Sequence, residues 1–320
     1  MLRWRGLDDV PTGWGRSVIT VGVFDGVHLG HQKLIKRAVA VAHERDLPSI
    51  LITFDPHPTE VVRPGHHPAQ LTTLSRRAEL VAELGISAFC VLPFTAELAR
   101  MPAAEFAHEV LVERLHAAVV LVGDNFTFGH GARGDVTVLR RLGQRAGFVV
   151  EGLELISDEG DPAGRTDAVT YSSTYIRSCI DGGEVALAAH ALGRPHRLEG
   201  VVVRGDRRGH ELGYPTANLA PPPFAAVPAD GVYACWFVQG GRRLPAAVSV
   251  GTNPTFSGRQ RTVEAYVLDV DEDFYGHQVA LDFVDRLRGM ERFDSVAELV
   301  KQMDADVVRT RELLGVPGPA

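Results

Sequence analysis

Cysteine is scarce in this 320-residue chain, and the three cysteines present are far apart. Cys90, Cys179 and Cys235 match neither a zinc-ligand spacing nor a disulfide framework, so we expect buried thiols in a reducing compartment. No apolar run approaches the ~20 residues that a membrane-spanning helix needs. Charged residues near the start, such as Arg5 and Asp8, interrupt any signal-peptide core. We therefore expect a cytoplasmic protein with no membrane partner.

Positive charge is not in excess either. The chain has 33 Lys and Arg residues against 40 Asp and Glu residues, a net charge of −7 at pH 7. A protein that coats nucleic acid needs a basic face to replace phosphate counterions, so we expect no nucleic-acid partner. The 45% of hydrophobic and 23% of charged residues are typical of a globular protein. The length allows two domains of roughly 100–200 residues each.

The first half of the chain has the pattern of an α/β domain. Amphipathic helical stretches, among them Ser75–Leu84 and Ala103–Leu115, alternate with short runs that are apolar throughout. Such continuous runs are typical of a parallel sheet covered by helices on both faces. The predicted strands are Val18–Phe24, Ser49–Phe54, Ala88–Leu92, Val119–Val122 and Val149–Leu155. The pattern predicts a doubly wound fold that binds ligands at the carboxyl ends of its strands.

The second half predicts a small antiparallel β-barrel, because its strands follow one another without intervening helices. Gly240-Gly241 is a good two-residue hairpin turn, and a helix with a Ser295/Glu298 capping box closes the chain. The predicted strands are Leu198–Arg204, Gly231–Val238, Leu244–Val250, Thr262–Val270 and Val279–Leu287. We place the domain boundary near Gly182-Gly183, which predicts domains of residues 1–183 and 184–320.

The strongest chemical motif is Gly22-Val-Phe-Asp-Gly-Val-His-Leu-Gly-His31, which follows a strand and opens a helix. A helix start attracts phosphate, because its backbone N–H groups and its dipole favour an anion. The motif is neither a Walker loop nor a dinucleotide fingerprint. It places two imidazoles, His28 and His31, where they can stabilise charge on a phosphorus under attack. We expect these catalytic side chains in an ATP site shaped by Gly22, Phe24, Asp25 and Gly30; the alternative is two unrelated surface histidines.

A second helix start, Ser172–Arg177, offers hydroxyls for capping and a guanidinium one turn later. We expect Ser173, Thr174 and Arg177 to contact phosphates, although a plain helix cap with a surface arginine is the alternative. Two strand ends supply further candidates for the ATP site, namely His57 after the second strand and Asn125 after the fourth. Either could instead belong to an ordinary loop.

The barrel half carries its own motif, Gly213-Tyr-Pro-Thr-Ala-Asn218, after a basic glycine-containing loop that ends at Gly209. Thr216 and Asn218 offer hard oxygen ligands suited to Mg²⁺ that also holds ATP, although a simple turn is the alternative. Glu264 lies in a strand whose two faces both read as apolar, so its carboxylate should be buried and is costly unless used. Such a glutamate can act as general base for an alcohol nucleophile.

Together these motifs resemble the bacterial bifunctional riboflavin kinase/FAD synthetase family. The resemblance extends from about Ser17 to Asp306, and no single motif would be enough for it. The matching segments are Gly22–Gln32, Phe54–Pro58, Gly123–Asp135, Ser172–Arg177, Gly193–Pro195, Gly213–Asn218, Pro228–Ala234, Gly251–Phe256 and Glu264.

The resemblance implies two ATP-dependent steps. The C-terminal domain would phosphorylate riboflavin to FMN, and the N-terminal domain would adenylylate FMN to FAD with release of pyrophosphate. By position, the family's phosphate-contacting histidines correspond to His28 and His31. The further ATP-site residues correspond to Asn125, Ser173 and Arg177, the magnesium and ATP contacts to Thr216 and Asn218, and the catalytic base to Glu264.

Two alternatives stay open at this point. One is a single-activity adenylyltransferase whose barrel only shapes specificity, and the other is a non-catalytic flavin-binding sensor. The intact Thr216, Asn218 and Glu264 set speaks against the first, and the complete His28–His31 turn speaks against the second. The sequence leaves the flavin-ring contacts and the oligomeric state unassigned.

Overall fold

The computed structural model describes residues 1–154, 157–158, 169–205, 214–255 and 258–318, and contacts between them divide the chain into two compact units. The first unit holds residues 1–68, 74–154, 157–158 and 169–171. The second holds residues 69–73 and the described residues from 172 onward. The domain boundary near residue 183 stays a prediction.

The first unit is built on a six-stranded parallel sheet, which confirms the predicted doubly wound fold. The order across the sheet is β1-β4-β3-β2-β5-β6, so it reverses direction beside β2. The strands are β1 (Leu2–Arg5), β2 (Ser17–Val21), β3 (Ser49–Asp55), β4 (Ala88–Pro93), β5 (Ala117–Gly123) and β6 (Val149–Leu153). The edge strand β1 was not predicted, because only Trp4 of its four residues is buried.

Helices cover both faces of this sheet. Side chains such as Ile19 and Ile50 belong to one apolar cluster, whereas the adjacent Val18 and Leu51 belong to another. The helices are α1 (Leu29–Glu44), α2 (Pro58–Val62), α3 (Leu74–Glu83), α4 (Ala96–Arg100), α5 (Ala103–Phe106) and α6 (Val136–Ala146). The predicted helix Ala103–Leu115 is confirmed in its extent, but only Ala103–Phe106 is α-helical, and the chain continues as a π-helical segment over Ala107–Arg114. Short 3-10 turns lie at Leu7–Asp9 and His130–Ala132, and β7 (Ser157–Asp158) pairs with β8 (Val169–Thr170).

The second unit contains the predicted antiparallel barrel, closed by six strands in the order β10-β13-β12-β11-β14-β9. Its elements are α7 (Ser173–Gly182), α8 (Val185–Leu192), β9 (His196–Val203), β10 (Ala217–Ala220), β11 (Gly231–Gln239), β12 (Arg242–Thr255), β13 (Gly258–Val267), β14 (Gln278–Arg288) and α9 (Val296–Leu314). Gly240 and Gly241 both have positive φ, as the predicted hairpin turn requires. The short strand β10 was not predicted.

Residues 69–73 pair with a loop of the barrel unit. The N–H of Gln70 donates to the carbonyl of Phe224 over 2.6 Å, and the N–H of Ala226 donates to the carbonyl of Gln70 over 2.8 Å. The hydroxyl of Thr73 donates to Glu199 over 2.5 Å. A segment that precedes α3 in sequence is therefore part of the second unit.

An ion pair attaches α9 to the barrel. The predicted apolar stripe is only partly covered, with Val296 62% exposed, and the buried residues of this helix are Asp306 and Thr310. Arg288 of β14 donates to both carboxylate oxygens of Asp306 over 2.8–3.1 Å. Burial of charge on both sides makes this contact dependent on the pair being complete.

Among the described residues, no helix is long and apolar enough to cross a membrane.

Replacing Arg288 with methionine should lower the free energy of unfolding of the second unit by about 3 kcal/mol, because it leaves the Asp306 carboxylate buried without its cation. Urea unfolding with hydrogen exchange at the α9 amides would measure this. The control is Arg309→Met on the same helix, whose pair with Glu312 is exposed on both sides and should contribute less than about 1 kcal/mol. Equal effects of the two substitutions would contradict the prediction.

Candidate functional site

The turn between β2 and α1 brings the two predicted histidines together. His28 is the N-cap of α1, and its Nδ1 accepts a hydrogen bond from the backbone N–H of His31 over 3.3 Å. The two imidazole rings stack with centroids 3.6 Å apart. The turn lies at the carboxyl end of β2, where the strand order reverses, which is the usual ligand position in such sheets.

The backbone of this turn is unusual. Phe24, Gly26 and Val27 have φ of 52°, 83° and 42°, a region that side-chain-bearing residues avoid. A Cβ on Gly30 would lie 3.1 Å from the ring of His28, so glycine allows the close approach. The N–H of Gly22 donates a hydrogen bond to the carbonyl of Ile52 on the neighbouring strand β3.

A buried ion pair lies beneath the turn. Asp25 is 2% exposed, and its Oδ1 is 3.3 Å from a guanidinium nitrogen of Arg77 on α3, which is itself 5% exposed. Arg77 also donates to the carbonyl of Val23 over 2.9 Å and to the hydroxyl oxygen of Thr53 over 3.2 Å. Asp25 therefore attaches the turn to α3, and its expected contact with ATP stays a prediction.

Burial, reinforced by the neighbouring His28 and Arg77, holds the pKa of His31 well below its ordinary value of 6.5. The ring is therefore neutral at pH 7. Its Nδ1 is buried and has no hydrogen-bond partner among the described residues. A buried nitrogen without a partner is costly, so a ligand that bonds to it gains affinity. Phe24 lies edge-on to the same ring at 5.1 Å, which fixes its position.

An apolar cavity of about 720 Å³ opens beside the turn and includes Gly22 and Val23 in its wall. Its aromatic lining comes from residues at or after the carboxyl ends of β3, β4 and β5, together with one side chain of α5: Phe54, Phe94, Phe126, Phe128 and Phe106. Sequence reasoning missed this lining, although phenylalanines at the carboxyl ends of three strands were a readable signal. The volume suits a ligand with a large flat ring system.

The other predicted ATP-site residues are less closely assembled. His57 caps α2, with its Nδ1 accepting from the N–H of Thr59, and Asn125 is exposed in the turn after β5. Ser172 rather than Ser173 caps α7, because its hydroxyl accepts from the N–H of Tyr175. Thr174 is exposed in the first turn of α7.

Arg177, one turn into α7, donates from Nε to the carbonyl of Ala69 over 2.6 Å. This part of its guanidinium therefore has a protein partner. The arginine and its helix belong to the second compact unit.

The barrel site brings together Thr216, Asn218 and Glu264. Asn218 of β10 is the cross-strand neighbour of Glu264 of β13, and the hydroxyl of Thr216 donates to the Glu264 carboxylate over 3.4 Å. Thr216 and Asn218 also line a cavity of about 480 Å³ with an aromatic wall at Phe274 and Tyr275. A hydroxyl, an amide oxygen and a carboxylate form a hard-oxygen set that fits Mg²⁺.

The expected burial of Glu264 is wrong. Alternation along β13 directs Val263 and Ala265 into the core of the closed barrel, whereas Glu264 and Tyr266 are on the half-exposed outer face. Its carboxylate therefore keeps access to solvent and ligand. Residues 206–209 of the expected loop, Gly213 of the Thr216 motif and Phe256 are outside the described residues.

Within the described ranges, no group of three or more His, Cys, Asp or Glu side chains is arranged to hold a metal ion.

Comparison with known proteins matches both halves of the chain. A family model for FAD synthetase matches residues 11–167, and one for riboflavin kinase matches residues 192–314. The bifunctional riboflavin kinase/FMN adenylyltransferase of Escherichia coli K12 is 34% identical over 95% of this chain and 94% of its own length. The enzyme of the same name from Bacillus subtilis is 31% identical over 91% of this chain and 90% of its own length.

The fold has a close counterpart among solved structures. A crystal structure described as a macrolide-efflux protein from Streptococcus pneumoniae superposes with a TM-score of 0.86 at 31% identity, covering 97% of this chain and 99% of that one. Its functional name differs from that of the bacterial enzymes.

The depressed pKa of His31 can be tested by NMR. The imidazole signal that disappears in His31→Gln should titrate well below pH 6.5, because burial disfavours the charged ring. Lowering the pH through 6.5 should leave the His31 ring neutral. Titration of His31 at or above 6.5 would rule out the buried, neutral ring.

Proposed function

Because the chain belongs to the bifunctional riboflavin kinase/FMN adenylyltransferase family, we propose that its two reactions are divided between the two sites described above. The chain phosphorylates riboflavin with ATP to give FMN, and it adenylylates FMN with a second ATP to give FAD and pyrophosphate. Matches to both family models support an enzyme with both activities over a single-activity adenylyltransferase.

Adenylyl transfer takes place at the turn of His28 and His31. A phosphate oxygen of FMN attacks the α-phosphorus of ATP, and the bond from that phosphorus to the departing pyrophosphate breaks. The FMN phosphate is already largely ionised at neutral pH, so no general base is needed. The protein has to position the two phosphates and stabilise charge in the transition state.

The single observation that carries this assignment is the hydrogen bond from the His31 N–H to Nδ1 of His28. A neutral ring that accepts at Nδ1 carries its proton on Nε2, which can therefore donate to a phosphate oxygen. The positive end of the α1 dipole is at the same place and favours the same anion. The neutral His31 ring adds a second polar group beside His28. Because the ring carries no charge, it does not repel the guanidinium of Arg77.

The flavin ring of FMN occupies the aromatic cavity beside the turn. Phe126 and Phe128 stack in parallel with centroids 5.4 Å apart, and Phe54 and Phe94 meet edge-to-face at 5.5 Å. Flat aromatic ligands gain from contact with such faces. Since Gly22 also lines the cavity, a ring bound there directs its phosphate chain towards the turn.

The motif resemblance supports further members of the ATP site. We include Gly30, which permits the close approach to His28, and the residues His57, Asn125, Ser173, Thr174 and Arg177.

Phosphorylation of riboflavin takes place at the outer face of the barrel. Glu264 takes the proton of the flavin's terminal hydroxyl while that oxygen attacks the γ-phosphorus of ATP, and ADP leaves. Mg²⁺ would be held by Thr216 and Asn218 and, when bound, neutralises charge on the ATP phosphates. The Thr216 hydroxyl, which donates to Glu264, also orients the carboxylate.

We also propose a cytoplasmic location. Both reactions consume ATP, and the three cysteines are buried and form no disulfide.

Two substitutions should separate the reactions. His28→Ala should lower FAD formation from FMN by roughly 10²–10³-fold, because a charge-stabilising donor is lost, and leave FMN formation unchanged. Glu264→Gln should lower FMN formation by roughly 10²–10⁴-fold and leave FAD formation from FMN unchanged. Chromatography of the flavins formed from riboflavin and, separately, from FMN measures both. Loss of both activities in either variant, or of neither, would overturn the assignment.

A close approach at Gly205 provides a test of Asn218. A Cβ on Gly205 would overlap the amide group of Asn218, so Gly205→Ala should displace that side chain and slow FMN formation about tenfold. The control is Gly289→Ala, where the nearest atom to an added Cβ is 3.9 Å away. A rate for Gly205→Ala equal to that of the control would remove Asn218 from the ATP site.

A further inference from the structure

Arg77 is a buried charge that the reactions above do not use. It lies on α3, where its neighbours on the inner side are Ala78 and Val81, and only 5% of it is exposed. Burial of a guanidinium is costly, and well-packed apolar residues often stabilise a fold as well or better. Stability of α3 alone therefore does not account for an arginine at this position.

Arg77 contacts one end of the phosphate turn and the strand beside it. One guanidinium nitrogen donates to the Val23 carbonyl at 2.9 Å and to the Thr53 hydroxyl oxygen at 3.2 Å, and another pairs with Asp25 at 3.3 Å. Thr53 in turn donates to the same Val23 carbonyl over 2.8 Å. The first residues of the turn are thus fixed from two directions.

The turn needs such fastening. Phe24 and Val27 have positive φ despite their side chains, a conformation that persists only when surrounding contacts impose it. The far end is held by Gln32, whose side chain donates to the Val27 carbonyl over 3.0 Å. Arg77 provides the corresponding attachment at the near end.

The contacts of Arg77 are linked to His28 and His31 through one intervening side chain. Phe24, between the two residues that Arg77 contacts, has its ring 5.1 Å from that of His31. His31 in turn stacks on His28. A shift of Val23 or Asp25 would therefore move the face against which both imidazoles rest.

We propose that Arg77 is a positioning residue for adenylyl transfer, which acts through Val23 and Asp25 to hold the turn in the conformation that presents His28 and His31 to the phosphates. The proposal rests on the role assigned to those two histidines. A guanidinium is suited to this task because its planar fork bonds a carbonyl and a carboxylate at once, whereas an ammonium is a single point charge.

The experiment compares Arg77→Met, Arg77→Lys and the control Arg37→Met in the full chain. Arg37 is on α1 and pairs with Glu151 at the partly exposed surface. We measure kcat and KM for FAD formation from FMN, FMN affinity by quenching of flavin fluorescence, and FMN formation from riboflavin. The last of these reports the amount of active chain.

Arg77→Met should lower kcat for FAD formation by about 10- to 100-fold, since small misplacement of reacting groups has effects of that size. FMN formation should stay within about twofold of Arg37→Met, because the barrel site is not changed. FMN affinity should fall much less than kcat, because, of Val23, Asp25 and Thr53, only Val23 lines the aromatic cavity. Arg77→Lys, which retains the charge and one hydrogen-bonding direction, should recover part of kcat.

Two results would overturn the proposal. In the first, Arg77→Met has the same kcat as Arg37→Met. In the second, Arg77→Met and Arg77→Lys both lose FMN affinity in proportion to kcat, which is the pattern of a general packing role. His28→Ala assayed in parallel separates the hypotheses, because full activity in that variant would refute the role of the turn itself, whatever Arg77 does.

Discussion

The conformation of the turn between β2 and α1 depends on one buried charge pair, Arg77 with Asp25. Two residues with side chains hold positive φ in this turn, at a cost of about 1–3 kcal/mol each. The ion pair and the hydrogen bond to the Val23 carbonyl offset that cost. A relaxed turn would leave two buried charges unpaired, which is less favourable still. The position of this turn then determines three further features, namely where the α1 dipole points, where the imidazoles stack and where the wall of the aromatic cavity lies.

The barrel positions its site by a different principle. Closure of six antiparallel strands leaves no unpaired edge and alternates side chains strictly between core and surface. Glu264 and Asn218 therefore meet on the outer face by register alone, without a special backbone conformation. One proposed site relies on a strained turn held by buried charge, and the other on the regular geometry of neighbouring strands.

Much of this architecture could be read from the sequence, because the apolar runs of β2, β3 and β5 and the alternation in the barrel are strong periodic signals. The strands β1 and β10 were missed since each has four residues and few buried side chains. Periodicity also gave no sign of the π-helical segment after α5. The burial of Glu264 was misjudged because Tyr266 and Leu268 suggested an apolar outer face, whereas Tyr266 is half-buried at the surface.

The role of Arg77 was out of reach for a related reason. An arginine in an amphipathic helix is normally on the exposed side, so only its place three residues after Leu74 and four before Val81, within the inner stripe, distinguished it. Tertiary contacts decide whether such an arginine is a surface charge or a buried residue that holds a neighbouring turn. Helix periodicity predicted where it points but not what it meets there.

The pairing of residues 69–73 with the loop at Phe224–Ala226 bears on how such a chain can be divided. The polypeptide passes from the first unit to the second at residue 69, returns at residue 74 and passes over again at residue 172. No single scission point separates the two catalytic units completely. A barrel produced alone would lack the stretch that bonds to Phe224 and Glu199, and the remaining half would carry five residues without their partners. The two compact units are thus interleaved rather than consecutive along the chain, so a barrel expressed alone would need residues 69–73 to be supplied or replaced.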